Sequence, residues 1–268
     1  MTIRRKDKGP DGSLTRVVNC GRCAPCLRKK QIDWCFRLNE ELKRSSSACF
    51  LTLTYDDDNI PWCEGGYSLV REDFQLFMKR LRKHAKKSGI KYYACGEYGE
   101  KTERPHYHAI VFNLPKPFEK YVAKAWKYGH IHIGTVTESS IFYTTKYALK
   151  GLKRQRAEYY DELGREPQFQ LMSNGLGTGY LRDTIKDYLR RNGTKLVTLE
   201  GGIKKKLPRY YQEKFFPDLE ERAIWSAAAN GEIAANFVDL DIDDKTRKDL
   251  IELYEYRNRK TINKGSNI

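Results

Sequence analysis

The amino-acid sequence predicts an α+β fold with one antiparallel sheet. Segments that alternate apolar and polar residues, which is typical of strands, recur between segments whose apolar residues are three or four apart, which is typical of helices. The chain has 268 residues, enough to bury a core of its own. No apolar run approaches the ~20 residues that a membrane-spanning helix needs, so we expect no membrane segment.

The first 48 residues precede the predicted sheet and contain a cysteine cluster. Cys20, Cys23 and Cys26 have the spacing Cys-x-x-Cys-x-x-Cys, which could bind zinc with Cys35 as a fourth ligand. Because no second cysteine pair follows, zinc is the less favoured interpretation, and reduced thiols in a cytosolic protein are expected. The segment 28–45 predicts a helix whose inward side carries Ile32, Cys35, Phe36 and Leu42.

Six elements of the sheet domain are predicted after this helix. In order, they are a strand at 50–55, a helix at 68–89, strands at 90–95 and 104–112, a helix at 118–127 and a strand at 129–136. The first helix has the clearest periodicity, with a buried stripe of Phe74, Phe77, Met78, Leu81 and Ala85. This order predicts the ferredoxin-like arrangement of a split βαβ unit, whose first and third strands lie in the centre of the sheet.

The charge of the chain suits a polyanionic partner. The formal net charge is +15, and residues 1–200 hold 37 basic against 23 acidic side chains, so nearly all of the excess lies there. Together with 18 tyrosines and 4 tryptophans, on which bases can stack, this excess predicts binding to single-stranded nucleic acid. Charge alone would also fit an RNA-binding or ribosome-associated protein.

The stretch RPHYHAIVF predicts half of a metal site. His106 and His108 are two residues apart on a predicted strand, so both imidazoles point to the same face. Glu97 falls near the end of the preceding strand of the hairpin and could lie beside them as a third ligand. A second pair, His130 and His132, is the main rival, but no carboxylate occupies a comparable neighbouring position.

A tyrosine-rich helix is predicted at residues 141–150, with Ser139 or Ser140 as its N-cap. At helical spacing, its polar face carries Tyr143, Lys146, Tyr147 and Lys150. A second face carries Phe142, Thr145 and Leu149. Taken alone, this pattern is also typical of an ordinary surface helix with half-buried tyrosines.

Together, these residues resemble the HUH endonucleases, which initiate rolling-circle replication by nicking single-stranded DNA. RPHYHAI matches the His-hydrophobic-His motif of that family, Glu97 its nearby acidic residue, and the tyrosine helix both of its patterns, Tyr-x-x-Lys and Tyr-x-x-x-Tyr. The order of NCGRCAPCLRKK, FLTLTYDD, GEYGEKTERPHYH and the tyrosine helix is similar to the replication initiators of microvirus-type (gokushovirus-like) phages. The resemblance covers roughly residues 17–182.

The resemblance implies a reaction and a set of roles. Tyr143 or Tyr147 would form a 5′-phosphotyrosine intermediate, assisted by Lys146, and which tyrosine acts first stays open. Mg²⁺ or Mn²⁺ would be held by His106, His108 and Glu97. The implied partner is single-stranded DNA at a replication origin in the host bacterial cytoplasm. Host replication proteins are further candidate partners, and the oligomeric state stays open.

The implied organisation has three parts. Residues 1–48 form the cysteine-containing N-terminal segment and helix, residues 49–182 the HUH endonuclease domain, and residues 183–268 a mainly helical C-terminal extension of unknown role. The extension is predicted to end in a long helix with Leu250, Leu253 and Tyr254 inward.

Three other functions remain open on the sequence. An HUH relaxase or transposase would use the same site on a different DNA substrate. A non-catalytic single-stranded DNA- or RNA-binding protein on a ferredoxin-like sheet would not need the histidine pair and the tyrosine helix together. A zinc-dependent transcription factor would need a metal ion at the cysteine run.

Overall fold

A computed structural model of the chain describes residues 2–5, 16–21, 23–150, 154–198, 202, 204–222, 225, 226 and 229. The chain divides into two compact units, Met1–Arg182 and Asp183–Ile268. The predicted C-terminal helix with Leu250, Leu253 and Tyr254 lies outside the described residues. Within the described ranges, no helix has both the length and the apolar character needed to cross a membrane.

The first unit combines strands and helices in alternation. In chain order it contains β1 (Thr2–Arg5), β2 (Arg16–Asn19), α1 (Ala24–Leu42), β3 (Ala48–Tyr55), β4 (Trp62–Cys63), β5 (Gly66–Tyr67), α2 (Arg71–Ala85), β6 (Lys91–Tyr98), β7 (Pro105–Phe112), α3 (Phe118–Ala125), β8 (Gly129–Gly134), α4 (Glu138–Lys150), α5 (Arg154–Glu162), β9 (Phe169–Met172) and a short 3-10 helix (Thr178–Tyr180).

The main sheet has five antiparallel strands in the spatial order β8-β3-β7-β6-β9. Its first four positions are the fourth, first, third and second strands of a split βαβ unit, so the α+β, ferredoxin-like prediction is confirmed. The edge strand β9 is not predicted from the sequence. Its four residues, FQLM, are too few to show a period of their own, and its pairing with β6 defines it.

One face of the sheet is covered by α2 and α3. The inward residues of β3 include Cys49, Leu51 and Leu53, which alternate with residues of the other face as the pleat of a strand requires. The predicted stripe of α2 is confirmed by the buried side chains Phe74, Phe77, Met78 and Leu81. Burying each such side chain contributes ~1.5–3 kcal/mol relative to exposure, so this layer holds the central strands in place.

The opposite face of the sheet is covered by α1 and α4. Their shared core cluster includes Leu38, Tyr93, Ile110, Phe112, Ile141 and Ala148. The prediction that Ile32 of α1 points inward is wrong, because its side chain is 43% exposed. The buried Gln31 contacts α4 instead, and its side-chain amide donates to the carbonyl of Phe142 at 3.2 Å.

Tyr107, the residue between the two histidines, points to the α2 side of the sheet. Its hydroxyl lies 2.6 Å from the Tyr55 hydroxyl and donates to the Val70 carbonyl at 2.7 Å. The Tyr55 hydroxyl in turn donates to the carboxylate of Asp73 at 2.6 Å. This network ties the two central strands to the start of α2, so the middle residue of the His-x-His motif is structural.

The second unit contains α6 (Asp183–Arg191), β10 (Leu196–Thr198), β11 (Lys204–Lys206) and α7 (Arg209–Phe215). The strands β10 and β11 form an antiparallel hairpin that the sequence does not predict. Phe216 stacks on Trp225 with ring centroids 4.4 Å apart, and both side chains are buried. The described part of this unit is otherwise mainly helical.

We expect Tyr107→Phe to lower the free energy of unfolding by ~1–3 kcal/mol, because it removes buried hydrogen bonds to Val70 and Tyr55. Urea denaturation of the wild type and the variant measures the difference. The matched control is Tyr92→Phe, at a half-buried ring whose centroid lies 5.5 Å from that of Phe74. Equal losses for the two variants would contradict a stabilising role for the network.

Candidate active site

The three predicted ligands meet on two neighbouring strands. Glu97 of β6 pairs directly with His106 of β7, and Cys95 pairs with His108. Because residues that pair directly point to the same face, Glu97 and both histidines project side by side. This is the face that α4 covers.

The ligand atoms converge at distances that suit an ion. The Nε2 atoms of His106 and His108 each lie 3.9 Å from Oε2 of Glu97. This is too long for a hydrogen bond, but two ligand atoms at ~2.1 Å from one Mg²⁺ can be up to ~4.2 Å apart. Nε2 of His108 is buried and has no hydrogen-bond partner among the described residues, which fits an atom reserved for a ligand.

The other nitrogen of each histidine is held by a neighbour. Nδ1 of His106 lies 3.1 Å from the carbonyl oxygen of Arg104, so this nitrogen carries the proton and donates it. Nδ1 of His108 lies 3.0 Å from the hydroxyl of Thr52, the residue opposite it on β3. With Nδ1 protonated, Nε2 presents its lone pair towards Glu97, as metal-binding histidines do. Thr52 is not predicted from the sequence, although the alternation of β3 places it on the polar face.

Burial lowers the pKa of both histidines. For His106, burial outweighs the hydrogen bond to the Arg104 carbonyl, which raises the pKa. For His108, burial and the neighbouring His106 lower the pKa to about 3. The imidazoles therefore face Glu97 as neutral rings at pH 7, so their contacts with it are not ion pairs. The neutral imidazole is also the form that binds a metal.

The donor set is chemically mixed. Glu97, His106 and His108 form a group that could hold a metal ion. Carboxylate oxygens suit Mg²⁺ and Mn²⁺, and imidazole nitrogens suit zinc, copper, iron and nickel. The three residues therefore fit a divalent cation, and the donor set is compatible with more than one ion.

The helix α4 begins at Glu138, before the predicted start. Thr137 is the N-cap in place of the predicted Ser139 or Ser140: its amide donates to Oγ of Ser140 at 2.7 Å, and the Ser140 amide donates to Oγ1 of Thr137 at 3.2 Å. Phe142, predicted to share a face with Thr145 and Leu149, is 48% exposed. The buried side of the helix consists of Ile141, Thr144, Thr145, Ala148 and Leu149.

The two tyrosines of α4 lie over the histidines. The ring centroid of Tyr143 is 5.2 Å from that of His108 and 4.4 Å from that of Tyr147. Tyr143 is 39% exposed, so solvent and substrate can reach it. Lys146 is exposed, with Nζ 5.7 Å from the ring centroid of Tyr147. The structure thus brings the predicted tyrosines, lysine and metal ligands to one place.

The pKa of the Tyr143 phenol is raised above its usual value. Burial is the largest cause, followed by Tyr147 and the carboxylate of Glu97, and a hydrogen bond with Tyr147 adds to them. The neutral phenol is therefore the resting form at pH 7. Its activation as a nucleophile needs positive charge nearby.

The rival pair, His130 and His132, lies on the edge strand β8 and is exposed. The pairing of β3 with both neighbours places it across β3 from His106 and His108, on the same face and ~10 Å away. Within the described part of the chain, two groups of three or more potential ligands occur, at Glu97 with the first pair and at the cysteine cluster. The rival pair belongs to neither group.

The chain is similar to replication proteins of viruses that infect bacteria. A model of the replication-associated protein ORF2 family matches residues 48–152, which include the candidate ligands and both tyrosines. The replication-associated protein ORF2 of Spiroplasma virus 4 is 30% identical over 233 residues, which are 79% of this chain and 72% of the relative. No solved structure gives a significant match.

Two further relatives are less similar. The replication-associated protein VP4 of Bdellovibrio phage phiMH2K is 28% identical over 216 residues, which are 72% of this chain and 66% of the relative. The replication-associated protein ORF4 of Chlamydia phage 1 is 28% identical over 218 residues, which are 72% of this chain. The match spans about half, 52%, of the Chlamydia phage protein.

We expect Thr52→Val to weaken Mn²⁺ binding by ~10–100-fold, because His108 loses the hydroxyl that orients its ring. Calorimetric titration of metal-free protein measures the affinity. The matched control is Thr54→Val, which lies opposite His106 on the same face of β3, where the Arg104 carbonyl already holds Nδ1. Similar losses in both variants would show that the Thr52 hydroxyl has no specific role.

Mn²⁺ affinity should change little as the pH falls through ~6.5, the usual pKa of imidazole. The reason is that burial lowers the pKa of His106 and His108, so protons compete with the metal only at more acidic pH. Titrations from about one pH unit above to about one unit below that value test this. A fall in affinity that begins at the usual imidazole pKa would contradict it.

Proposed function

Because the chain belongs to the replication-associated protein ORF2 family, we propose that it initiates rolling-circle replication of a single-stranded DNA genome. It nicks the origin with a tyrosine nucleophile and later rejoins the product into a circle. The names of the relatives support a role in replication. The chemistry of the candidate active site supports nicking, and the host bacterial cytoplasm is the expected place of action.

The contact between the tyrosine pair and the ligand triad is the observation that carries this proposal. The ring of Tyr143 meets His108 edge to face at 5.2 Å, and Glu97 is close enough to raise the pKa of Tyr143. A nucleophile, a carboxylate and two neutral imidazoles thus share one rigid face of the sheet. A protein that only binds single strands has no need of this convergence.

In the proposed reaction, the phenol oxygen of Tyr143 or Tyr147 attacks the phosphorus of the scissile phosphodiester. The new bond replaces the bond from phosphorus to the 3′ oxygen, which leaves as a hydroxyl with the phenol proton. A 5′-phosphotyrosine conserves the energy of the broken bond, and the free 3′-OH primes synthesis. The second tyrosine then cuts the regenerated origin, and the released 3′-OH attacks the first adduct to close the circle.

A divalent ion supports this chemistry from the ligand triad. Glu97, His106 and His108 would hold Mg²⁺ or Mn²⁺, which when bound supplies positive charge to a non-bridging phosphate oxygen. The protein itself contributes orientation, because each histidine is held through Nδ1 by a neighbour on the sheet. The nearby β-strand backbone keeps the triad rigid.

Positive side chains beside the site suit the DNA strand. Lys146 is exposed next to Tyr147, where its ammonium group can bind a phosphate. Arg28, Lys29 and Lys30 are exposed on α1, which covers the same face of the sheet as α4. The basic side of α2 belongs to the opposite face of the sheet, so α1 is the better candidate to contact the scissile strand.

Covalent capture of DNA tests the proposal. Wild-type protein and the Tyr143→Phe, Tyr147→Phe and double variants are mixed with 3′-labelled single-stranded oligonucleotides that tile the genome encoding the chain. Mn²⁺, Mg²⁺ or EDTA is added. A labelled adduct on a denaturing gel should require the divalent ion and be absent from the double variant, because the 3′ fragment stays on the tyrosine. The single variants identify the tyrosine that acts first.

The control for this experiment is Tyr159→Phe, at an exposed tyrosine of α5, which should keep the wild-type adduct yield. An adduct in the double variant would assign the nucleophile to another residue. Tight DNA binding without an adduct in any metal would favour the non-catalytic binding protein, and nicking would be abandoned. Cleavage confined to DNA other than the genome's origin would favour a relaxase or transposase.

A further inference from the structure

Three cysteines converge where α1 begins. The sulfur atoms of Cys20, Cys23 and Cys26 all lie within 4.8 Å of one another, and those of Cys23 and Cys26 are 3.3 Å apart. In tetrahedral zinc sites the Zn–S distance of ~2.3 Å places neighbouring sulfurs ~3.8 Å apart. The three sulfurs therefore stand close to the spacing that a single zinc ion requires.

The backbone around the cluster favours this arrangement. Gly21 has a φ of 74°, a conformation that glycine adopts without strain, and the chain turns there so that Cys20 faces the helix. The amide of Cys23 donates to the sulfur of Cys20 at 3.2 Å. Hydrogen bonds of this kind orient ligands in metal sites.

Charge near the cluster suits thiolate ligands. Three thiolates on Zn²⁺ leave one net negative charge, and the cluster lies at the N-terminal end of α1, where the helix dipole is positive. Lys29 and Lys30 are exposed in the second turn of the same helix and add positive charge. A zinc thiolate site is therefore electrostatically matched to its surroundings.

The fourth ligand suggested by the sequence lies elsewhere. Cys35 follows Cys26 by nine residues on α1, which is ~13 Å along the helix axis. Its sulfur lies 3.3 Å from Oγ1 of Thr145 on α4. Cys35 therefore connects two helices instead of completing the cluster.

We propose that Cys20, Cys23 and Cys26 bind one zinc ion through their thiolates, with water or another ligand in the fourth position. This site is separate from the triad of the proposed nicking reaction and does not depend on that proposal. It closes the start of α1, the helix that contacts α4 through Gln31 and Cys35. Zinc at this point stabilises the helix on which the tyrosine helix packs.

The test uses the full chain, purified under reducing conditions without chelator, and measures zinc by mass spectrometry. One zinc ion per chain should remain in a His106→Ala/His108→Ala variant and be lost in a Cys20→Ser/Cys23→Ser/Cys26→Ser variant. Cys63→Ser, in the separate hairpin of β4 and β5, is the matched cysteine control and should keep the zinc. These variants distinguish this site from the histidine site.

A second measurement does not depend on the folding of the triple variant. Wild-type protein loaded with Co²⁺ in place of zinc should show the near-ultraviolet charge-transfer absorption of thiolate ligands. Absence of that absorption, or zinc that is lost with the histidines and kept without the cysteines, would overturn the proposal. A Cys23–Cys26 disulfide in the reduced preparation would overturn it as well.

Discussion

The antiparallel register of β6 and β7 is the constraint on which the candidate active site depends. Glu97 faces His106 in this register alone, because a slip of one residue would turn one strand's side chains to the other face. The register is secured away from the site, by the buried pair Ala94 and Ala109 and by the Tyr107 hydroxyl network. The polar group that could bind a metal is thus positioned by the apolar face beneath it.

The face that carries the site changes character along β7. At one end it presents His106 and His108, and at the other Ile110 and Phe112, which belong to the core shared with α1 and α4. The apolar end binds α4 through buried residues such as Ile141, and so sets the height of the tyrosines over the histidines. Hydrophobic packing thereby determines a distance that matters for chemistry, and no direct bond between tyrosine and ligand is needed to fix it.

How much the sequence reveals depends on how local each relation is. The hairpin that joins Glu97 to His106 is local, and both the placement of these residues and the resemblance to phage replication initiators are confirmed. Thr52 contacts His108 across 56 residues of sequence, and only the pairing of β3 with β7 reveals it. The exposure of Ile32 and Phe142 likewise depends on which neighbours cover each helix, which helical periodicity does not encode. The roles of the tyrosines and the three-part domain division remain predictions.

Glu97 links the two halves of the proposed chemistry. Its carboxylate belongs to the ligand triad and is also one of the charges that raise the pKa of Tyr143. When Glu97 binds a cation, its negative charge is neutralised and no longer opposes formation of the phenolate, whereas the effects of burial and of Tyr147 persist. Tyr143 is therefore least nucleophilic in the metal-free protein and gains reactivity as the triad is filled. One carboxylate in contact with both groups is sufficient to make attack on DNA conditional on the ion, without any movement of the sheet.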